Sequence, residues 1–218
     1  MGKSVYSIVL SDEVVQEIDD RAYRLGTNRS KLIDRILAER VNCITPEMRM
    51  HEIFGLVEQA LGSAFLMSPQ TSDSVLAVKR ALRFKYKPTM KYSVELTRSF
   101  SGCVGRLRAG IRTRSEELTA LCMGFFEYWS RLERAALGEF FEGGFPCELI
   151  QNGYARDFYE SGEGELSNRE IADAITAYIG ALDRGLSLWF ENADNTELAK
   201  HQAKQIYTAY LSNRKQLL

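Results

Sequence analysis

The sequence has little of what common catalytic and metal-binding motifs require. It contains only two histidines, His51 and His201, and its four cysteines include no C-x-x-C pair. Histidine acid–base chemistry and a zinc site of the usual spacing are therefore not expected. P-loop, nucleophile-elbow and H-E-x-x-H patterns are also missing. We expect no enzyme, no metal and no cofactor.

Long apolar runs are missing as well. No stretch reaches the roughly 18 to 20 apolar residues that a membrane span needs, and the N-terminus lacks the features of a secretory signal. There are only four prolines, and neither an internal repeat nor a low-complexity tract occurs. These features predict a cytoplasmic protein whose cysteines are reduced thiols in the core.

Neither sign of charge dominates the chain, but the charges are unevenly distributed. The 28 Lys and Arg oppose 29 Asp and Glu, which excludes a globally basic, histone-like protein. Residues 79–114 contain eleven basic residues and one acid, whereas residues 115–170 contain twelve acids and four basic residues. This asymmetry permits a local basic surface, and it equally permits the two segments to neutralise each other in the fold.

The first part of the chain predicts a strand followed by two helices. Residues 4–10 are β-prone, and two sets of side chains alternate along them: Tyr6, Ile8 and Leu10, and Val5, Ser7 and Val9. Ser11 then offers an N-cap hydroxyl. Apolar residues that recur every three to four positions after it predict a helix of about fourteen residues. Gly26 ends that helix, and Asn28 caps a second one.

This order of elements resembles the ribbon-helix-helix family of Arc, MetJ and CopG-type repressors. The resemblance is carried by Ser-Ile-Val-Leu-Ser-Asp-Glu-Val from Ser7 and Arg-Leu-Gly-Thr-Asn-Arg-Ser-Lys-Leu-Ile from Arg24, and it covers about residues 3–42. It implies a homodimer formed through the N-terminal strand and helices. Physical reasoning agrees, because a forty-residue unit with one lone strand cannot bury its apolar face.

The resemblance also implies where double-stranded DNA binds. In the family the two-stranded ribbon enters the major groove, and the outward residues of the strand face the bases, here Lys3, Val5, Ser7 and Val9. Val5 and Val9 depart from the polar residues that are usual there and offer only apolar contact to thymine methyl groups. Base recognition would then depend mainly on Lys3 and Ser7, and a ribbon that serves only for dimerisation stays open.

The second implied DNA contact lies at the start of helix two. Unpaired amide groups at a helix N-terminus attract phosphate, and here the residues are Asn28, Arg29, Ser30 and Lys31. The acids of helix one would lie away from DNA if the family's docking holds; they are Asp12, Glu13, Glu17, Asp19 and Asp20. An ordinary capped helix with solvated basic residues is the alternative interpretation.

Residues 46–218 show no family resemblance, so patterning alone predicts their structure. The predicted elements are helices from Pro46 and over 72–85, a β-hairpin over 91–98 and 104–113, a long helix from Ser115, a short hairpin at Asn152-Gly153, and two closing helices capped by Ser167 and by Asn195 or Thr196. The predicted fold class is α+β and mostly helical. A ribbon-helix-helix domain, residues 1–45, precedes a helix-rich domain, residues 46–218, with a small antiparallel sheet.

The second arm of the longer hairpin carries a row of arginines. Arg106, Arg108, Arg112 and Arg114 alternate with apolar residues and so predict one charged strand face. This face is a candidate secondary site for nucleic acid or for an anionic small molecule. It is equally consistent with a solvated strand face paired with acids of the next segment.

These observations together favour a dimeric, sequence-specific DNA-binding protein, a prokaryotic transcriptional regulator or repressor. Residues 46–218 would sense a small molecule, oligomerise or bind a protein partner. One alternative is an antitoxin or plasmid-maintenance protein that binds a partner through this domain. The other is a dimeric scaffold without DNA binding.

Overall fold

The computed structural model describes residues 5–69, 72–85, 87–98, 102–160 and 165–213. The chain divides into two compact units, residues 1–48 and 49–218, which are called unit 1 and unit 2 below. The predicted α+β, mostly helical class is confirmed, since helices account for 56% of the described residues and the strands form one antiparallel sheet.

Unit 1 contains two helices joined by a glycine turn. Helix α1, Asp12–Arg24, follows Ser11, whose side chain makes no capping hydrogen bond, so the predicted Ser11 cap is wrong; helix α2, Arg29–Arg40, is capped by Asn28 as predicted. Gly26 has a φ of +63°, which glycine adopts at little cost because it has no Cβ. The two predicted helices are therefore confirmed, whereas the described residues of the predicted first strand, 5–10, belong to no strand in the single chain.

Unit 2 combines a sheet with helices. The helices are α3 (Pro46–Leu61), α4 (Glu116–Leu137), α5 (Asn168–Glu191) and α6 (Thr196–Asn213), with 3₁₀ turns at Gly62–Ala64 and Gly138–Phe140. The first three residues of α3 fall within the range of unit 1. The strands are β1 (Leu66–Met67), β2 (Val75–Ala81), β3 (Thr89–Leu96), β4 (Cys103–Arg112), β5 (Cys147–Ile150) and β6 (Gly153–Tyr159). Their order in the sheet is β1-β2-β3-β4-β6-β5, and every neighbouring pair is antiparallel.

The two faces of the sheet differ in burial. Val78, Tyr92, Ala109 and Tyr154 are cross-strand partners in one row, and all four are buried in the core that includes the apolar sides of α3 to α6. Alternate residues of the same strands project from the opposite face, as the two-residue period of a strand requires. We call that opposite face the open face, because the core cluster does not cover it.

The helix predicted over residues 72–85 is wrong, because residues 75–81 form strand β2. Leu76 and Val78 are buried whereas Ala77 and Lys79 are half-buried, which is a period of two. β2 pairs with β3 along its whole length, from Val75 opposite Glu95 to Ala81 opposite Thr89. A short apolar run fits either element, and here the pairing with a distant segment decided between them.

The other predicted elements of unit 2 are confirmed. The longer hairpin is β3 and β4, and the shorter one is β5 and β6, with Asn152 at a φ of +55° in its turn. The α4 cap is the Ser115 side chain, and α5 begins with the predicted reciprocal box between Ser167 and Glu170. Asn195 caps α6 by accepting from the amide of Leu198 at 3.1 Å.

Two sets of hydrogen-bonded charged side chains, one around Glu133 and one around Asp183, lie inside unit 2. Arg156 and Glu133 are fully buried and joined by a 2.9 Å hydrogen bond, and Tyr154 donates its hydroxyl to the same carboxylate. Asp183 of α5 is also buried, and it accepts from Tyr92 at 2.9 Å and from Arg80 of β2. Burial raises the pKa of the Glu133 carboxyl, and the guanidinium of Arg156 opposes that rise.

The cysteines are all free thiols. Cys122 is buried, and its burial raises the pKa of that thiol to about 12. Cys103 and Cys147 are half-buried, and Cys43 is exposed, so the expectation that all four lie in the core is wrong. Among the described residues, no helix has both the length and the apolar character that crossing a membrane demands.

Candidate nucleic-acid interface

The described residues of the N-terminal segment, 5–10, are all exposed, and Tyr6 of the inward set is 84% exposed. Val5 and Val9 are fully exposed, at 101% and 99%, whereas Ile8 is 57% and Leu10 is 38% exposed. Ser7 is exposed like its neighbours in the outward set. Lys3 lies outside the described residues. Val5, Ser7 and Val9 are therefore exposed as expected, and of the inward set only Ile8 and Leu10 are partly covered.

The start of α2 has the geometry of an anion site. The Asn28 side chain accepts from the amide of Lys31 at 2.9 Å, which satisfies one of the first-turn donors. Helix geometry leaves the amides of Arg29 and Ser30 without an intrahelical acceptor, and residues 28–31 are all exposed. Two amides without an intrahelical acceptor and the positive end of the helix dipole favour an anion at this position.

An acid of α1 lies beside this site. Arg29 donates from Nε to Asp19 Oδ1 at 2.7 Å and forms a second bond to Oδ2, so the pair is bidentate. The hydrogen bonds from Arg29 lower the pKa of the Asp19 carboxyl, and the same contact raises the pKa of Arg29. Asp19 therefore lies beside the residues that the resemblance assigns to phosphate binding, and the expectation that the acids of helix one lie away from DNA stays a prediction.

Unit 1 exposes most of its apolar surface. Of the apolar residues described there, only Ala22, Leu32 and Ala38 are buried. The large exposed ones are Val5, Tyr6, Ile8, Val9, Leu10, Val14, Tyr23, Leu25, Ile36, Leu37, Val41 and Ile44. Three small or medium side chains bury little apolar surface, so the described part of unit 1 leaves much of its apolar surface uncovered.

The four arginines differ in their partners; three of them lie on β4, and Arg114 lies two residues beyond its end. Arg106 donates to Asp157 at 3.1 Å and to Glu148, which are acids of the 115–170 segment. Arg108 donates to Glu95 of the adjacent strand at 3.2 Å. Arg112 and Arg114 are exposed, and no described acid forms an ion pair with either. The four arginines therefore do not act as one uniform cationic face.

A concavity of about 720 Å³ lies on the open face of the sheet. Its cations are Lys79 of β2, Lys91 of β3, and Arg108 and Arg112 of β4, and its neutral polar residues are Thr89, Ser93, Gln151 and Asn152. No acidic side chain occurs among the described residues that line it. Sequence reasoning missed Lys79 and Lys91, because the first was assigned to a helix and neither belongs to the arginine row.

The described residues contain no candidate metal site. No cluster of three or more His, Cys, Asp or Glu side chains in that part of the chain could hold a metal ion. The chain was also compared with known proteins. No protein-family model, no curated protein and no solved structure matches it.

Proposed function

We propose that the protein is a homodimeric, sequence-specific DNA-binding protein that acts as a transcriptional regulator. The observation that carries the proposal is the geometry of unit 1. An exposed, mostly apolar segment precedes two short helices, and the second helix has exposed residues, two of them cations, at its N-terminus. These are the parts that a ribbon-helix-helix dimer uses, and they occur in the same order along the chain.

The dimer follows from the exposed apolar surface. A second copy pairs its segment 5–10 antiparallel with the first, which gives the unpaired backbone groups their partners. Ile8 and Leu10 then turn inward onto the helices of both subunits. Burying an exposed aliphatic side chain contributes about 1.5 to 3 kcal/mol, so a few such residues per subunit stabilise the assembly substantially.

The proposed DNA contacts are of two kinds: phosphate contacts that position the protein and contacts that recognise the bases. The amides of Arg29 and Ser30 hold a backbone phosphate on each side of the ribbon, and Lys31 adds a cation. Ser7 and Lys3 supply the polar contacts to base edges, and Val5 and Val9 contact thymine methyl groups. Two-fold symmetry of the dimer makes the expected operator a pair of inverted half-sites.

The first test measures binding of the full-length protein to DNA. Fluorescence anisotropy is recorded against duplexes tiled from the DNA upstream of its coding sequence and against a scrambled duplex, between 50 and 200 mM salt. We expect one duplex to bind preferentially and its affinity to fall linearly in log salt, because each neutralised phosphate releases counterions.

Two variants distinguish a regulator from a scaffold. Ser7→Ala removes a base contact, and Asn28→Ala removes the cap that shapes the phosphate site. We expect both variants to remain dimers and to lose affinity for the preferred duplex. A protein that keeps its dimer but binds no duplex at 50 mM salt would contradict the proposal and favour the scaffold.

A further inference from the structure

The open face of the sheet carries a charge separation that the fold itself does not explain. Towards one end of the strands the acids Glu95, Glu148 and Asp157 pair with Arg106 and Arg108. Towards the other end the open-face positions are occupied by Lys79, Lys91 and Arg112. No described acid pairs with these three cations, so their charge remains uncompensated within the described chain.

The strand register concentrates these cations. Lys79 and Lys91 are direct cross-strand partners, an arrangement that destabilises a sheet when both side chains are charged. Lys91 faces Gly110 across the next pair, and Arg112 lies two residues further along β4. Gly110 in turn faces Gly153, so no side chain fills the middle of this row. The result is a shallow concavity with cations around a floor of backbone.

The chemistry of the lining favours an extended polyanion. The neutral polar residues at the concavity are Thr89, Ser93, Gln151 and Asn152, which are among the side-chain types that contact DNA phosphates. No aromatic side chain occurs among its described lining residues, so it offers no platform for stacking unpaired bases. Small-molecule sites bury most of their ligand among apolar walls, and an open sheet surface does not.

We infer that this face binds the phosphate backbone of double-stranded DNA without reading its sequence. Lys79, Lys91 and Arg112 contact the phosphates, and Arg108 exchanges part of its contact with Glu95 for the same polyanion. The inference rests on the proposed function, because it adds a second, sequence-independent contact to a protein that unit 1 brings to DNA.

The test uses the full-length protein and a scrambled duplex. The face variant carries Lys79→Gln, Lys91→Gln and Arg112→Gln. A matched control removes the same charge from exposed helical positions of unit 2, with Arg131→Gln, Arg169→Gln and Lys204→Gln. Circular dichroism and the thermal midpoint verify that both proteins are folded before the anisotropy titrations.

We expect the slope of log affinity against log salt to be less steep in the face variant by about 2 to 3 per protomer. The reason is that each lost phosphate contact removes about 0.9 from its magnitude. The control should keep the slope of the unmodified protein. An unchanged slope in the face variant would overturn the inference, and so would an equal loss in the control, which would show an effect of net charge alone.

The same titrations separate this inference from the proposed function. In one outcome, the salt dependence of affinity weakens in the face variant, while Ser7→Ala and Asn28→Ala bind as the unmodified protein does. The inference then stands, and the ribbon is not the DNA contact. If those two variants lose the preferred duplex while the face variant is unaffected, the proposed function stands and the inference fails. An unmodified protein that binds no duplex at 50 mM salt removes both.

Discussion

Under the proposed function, Asp19 would compete with a phosphate for the guanidinium of Arg29. Both oxygens of the carboxylate are engaged by that guanidinium, at the N-terminus where the phosphate is proposed to bind. A phosphate must therefore displace the carboxylate or bind beside it. In the proposed complex, the acid would lower the affinity of this site for phosphate and leave more of the discrimination to the base contacts.

Replacing Asp19→Asn should tighten binding to any duplex. The variant frees Arg29 and removes a negative charge from the site, so the slope of log affinity against log salt should become steeper by about 0.9 per protomer. Anisotropy titrations over a salt series measure this. Asp20→Asn makes the same charge change one residue further along α1 and should alter the slope less; equal effects of the two variants would contradict the competition.

The buried pair Glu133–Arg156 makes a second prediction at the residue scale. Arg156→Met leaves a carboxylate without its cation inside the protein, and removing one partner of such a pair typically costs about 3 to 5 kcal/mol. Urea unfolding measures the loss. Arg131→Met, which removes an exposed cation paired with Glu127 on α4, should cost no more than about 0.5 kcal/mol.

The cost of Arg156→Met should depend on pH with a definite sign. Burial raises the pKa of Glu133 in the folded protein, and losing Arg156 removes a contact that lowers it. A pKa that is raised on folding gives stability that is present at low pH and is lost as the pH rises through the folded value. The variant should therefore be less impaired at pH 5 than at pH 8, and the opposite order would show that Glu133 is not the responsible group.

At the scale of the elements, the contact between α4 and α5 depends on a glycine. A Cβ at Gly185 would lie 2.8 Å from the Trp129 ring and 3.4 Å from Phe125. The two helices can approach this closely only because that position has no side chain. Gly180 lies five residues earlier on α5 and meets only the end of the Arg184 side chain, at 3.4 Å.

These two glycines should respond oppositely to alanine. Alanine favours a helix over glycine by about 1 kcal/mol, so Gly180→Ala should be neutral or stabilising. Gly185→Ala gains the same propensity but forces the Trp129 ring to move, and overpacking of this kind costs about 1 to 3 kcal/mol. Thermal unfolding of both variants measures the difference, and equal midpoints would show that α4 and α5 tolerate the added methyl group.

At the scale of the whole molecule, the prediction concerns assembly. Ile8→Asp places a charge where the proposed dimer buries an aliphatic side chain, so we expect monomers in analytical ultracentrifugation and a loss of DNA binding. Val9→Ser changes the neighbouring residue, which is 99% exposed, and should leave the dimer intact. A dimer that survives Ile8→Asp would show that segment 5–10 is not the interface.

Local signals predicted much of the fold and part of the candidate site. The cap at Asn28, the box at Ser167 and the turn at Asn152 depend on neighbours within three or four residues, and the structure has each of them. The Asp19–Arg29 pair could have been anticipated only from the packing of α1 on α2. The cation cluster at Lys79 and Lys91 required the β2–β3 register, which no local pattern encodes.

The sequence by itself determined the six described α-helices, most of their starts and the two hairpins, because capping, helical periodicity and turn chemistry act over a few residues. The tertiary structure alone decided that residues 75–81 are a strand, since pairing with β3 outweighed their local preference. It also decided which charges are neutralised. Arg106 pairs with acids 42 and 51 residues away and Asp183 pairs with Arg80 across 103 residues, whereas the half-buried Lys79 and the exposed Lys91 and Arg112 have no acid as ion-pair partner among the described residues. The energy of an ion pair depends on the distance between the two charges and on how far they are removed from water. Folding sets both quantities.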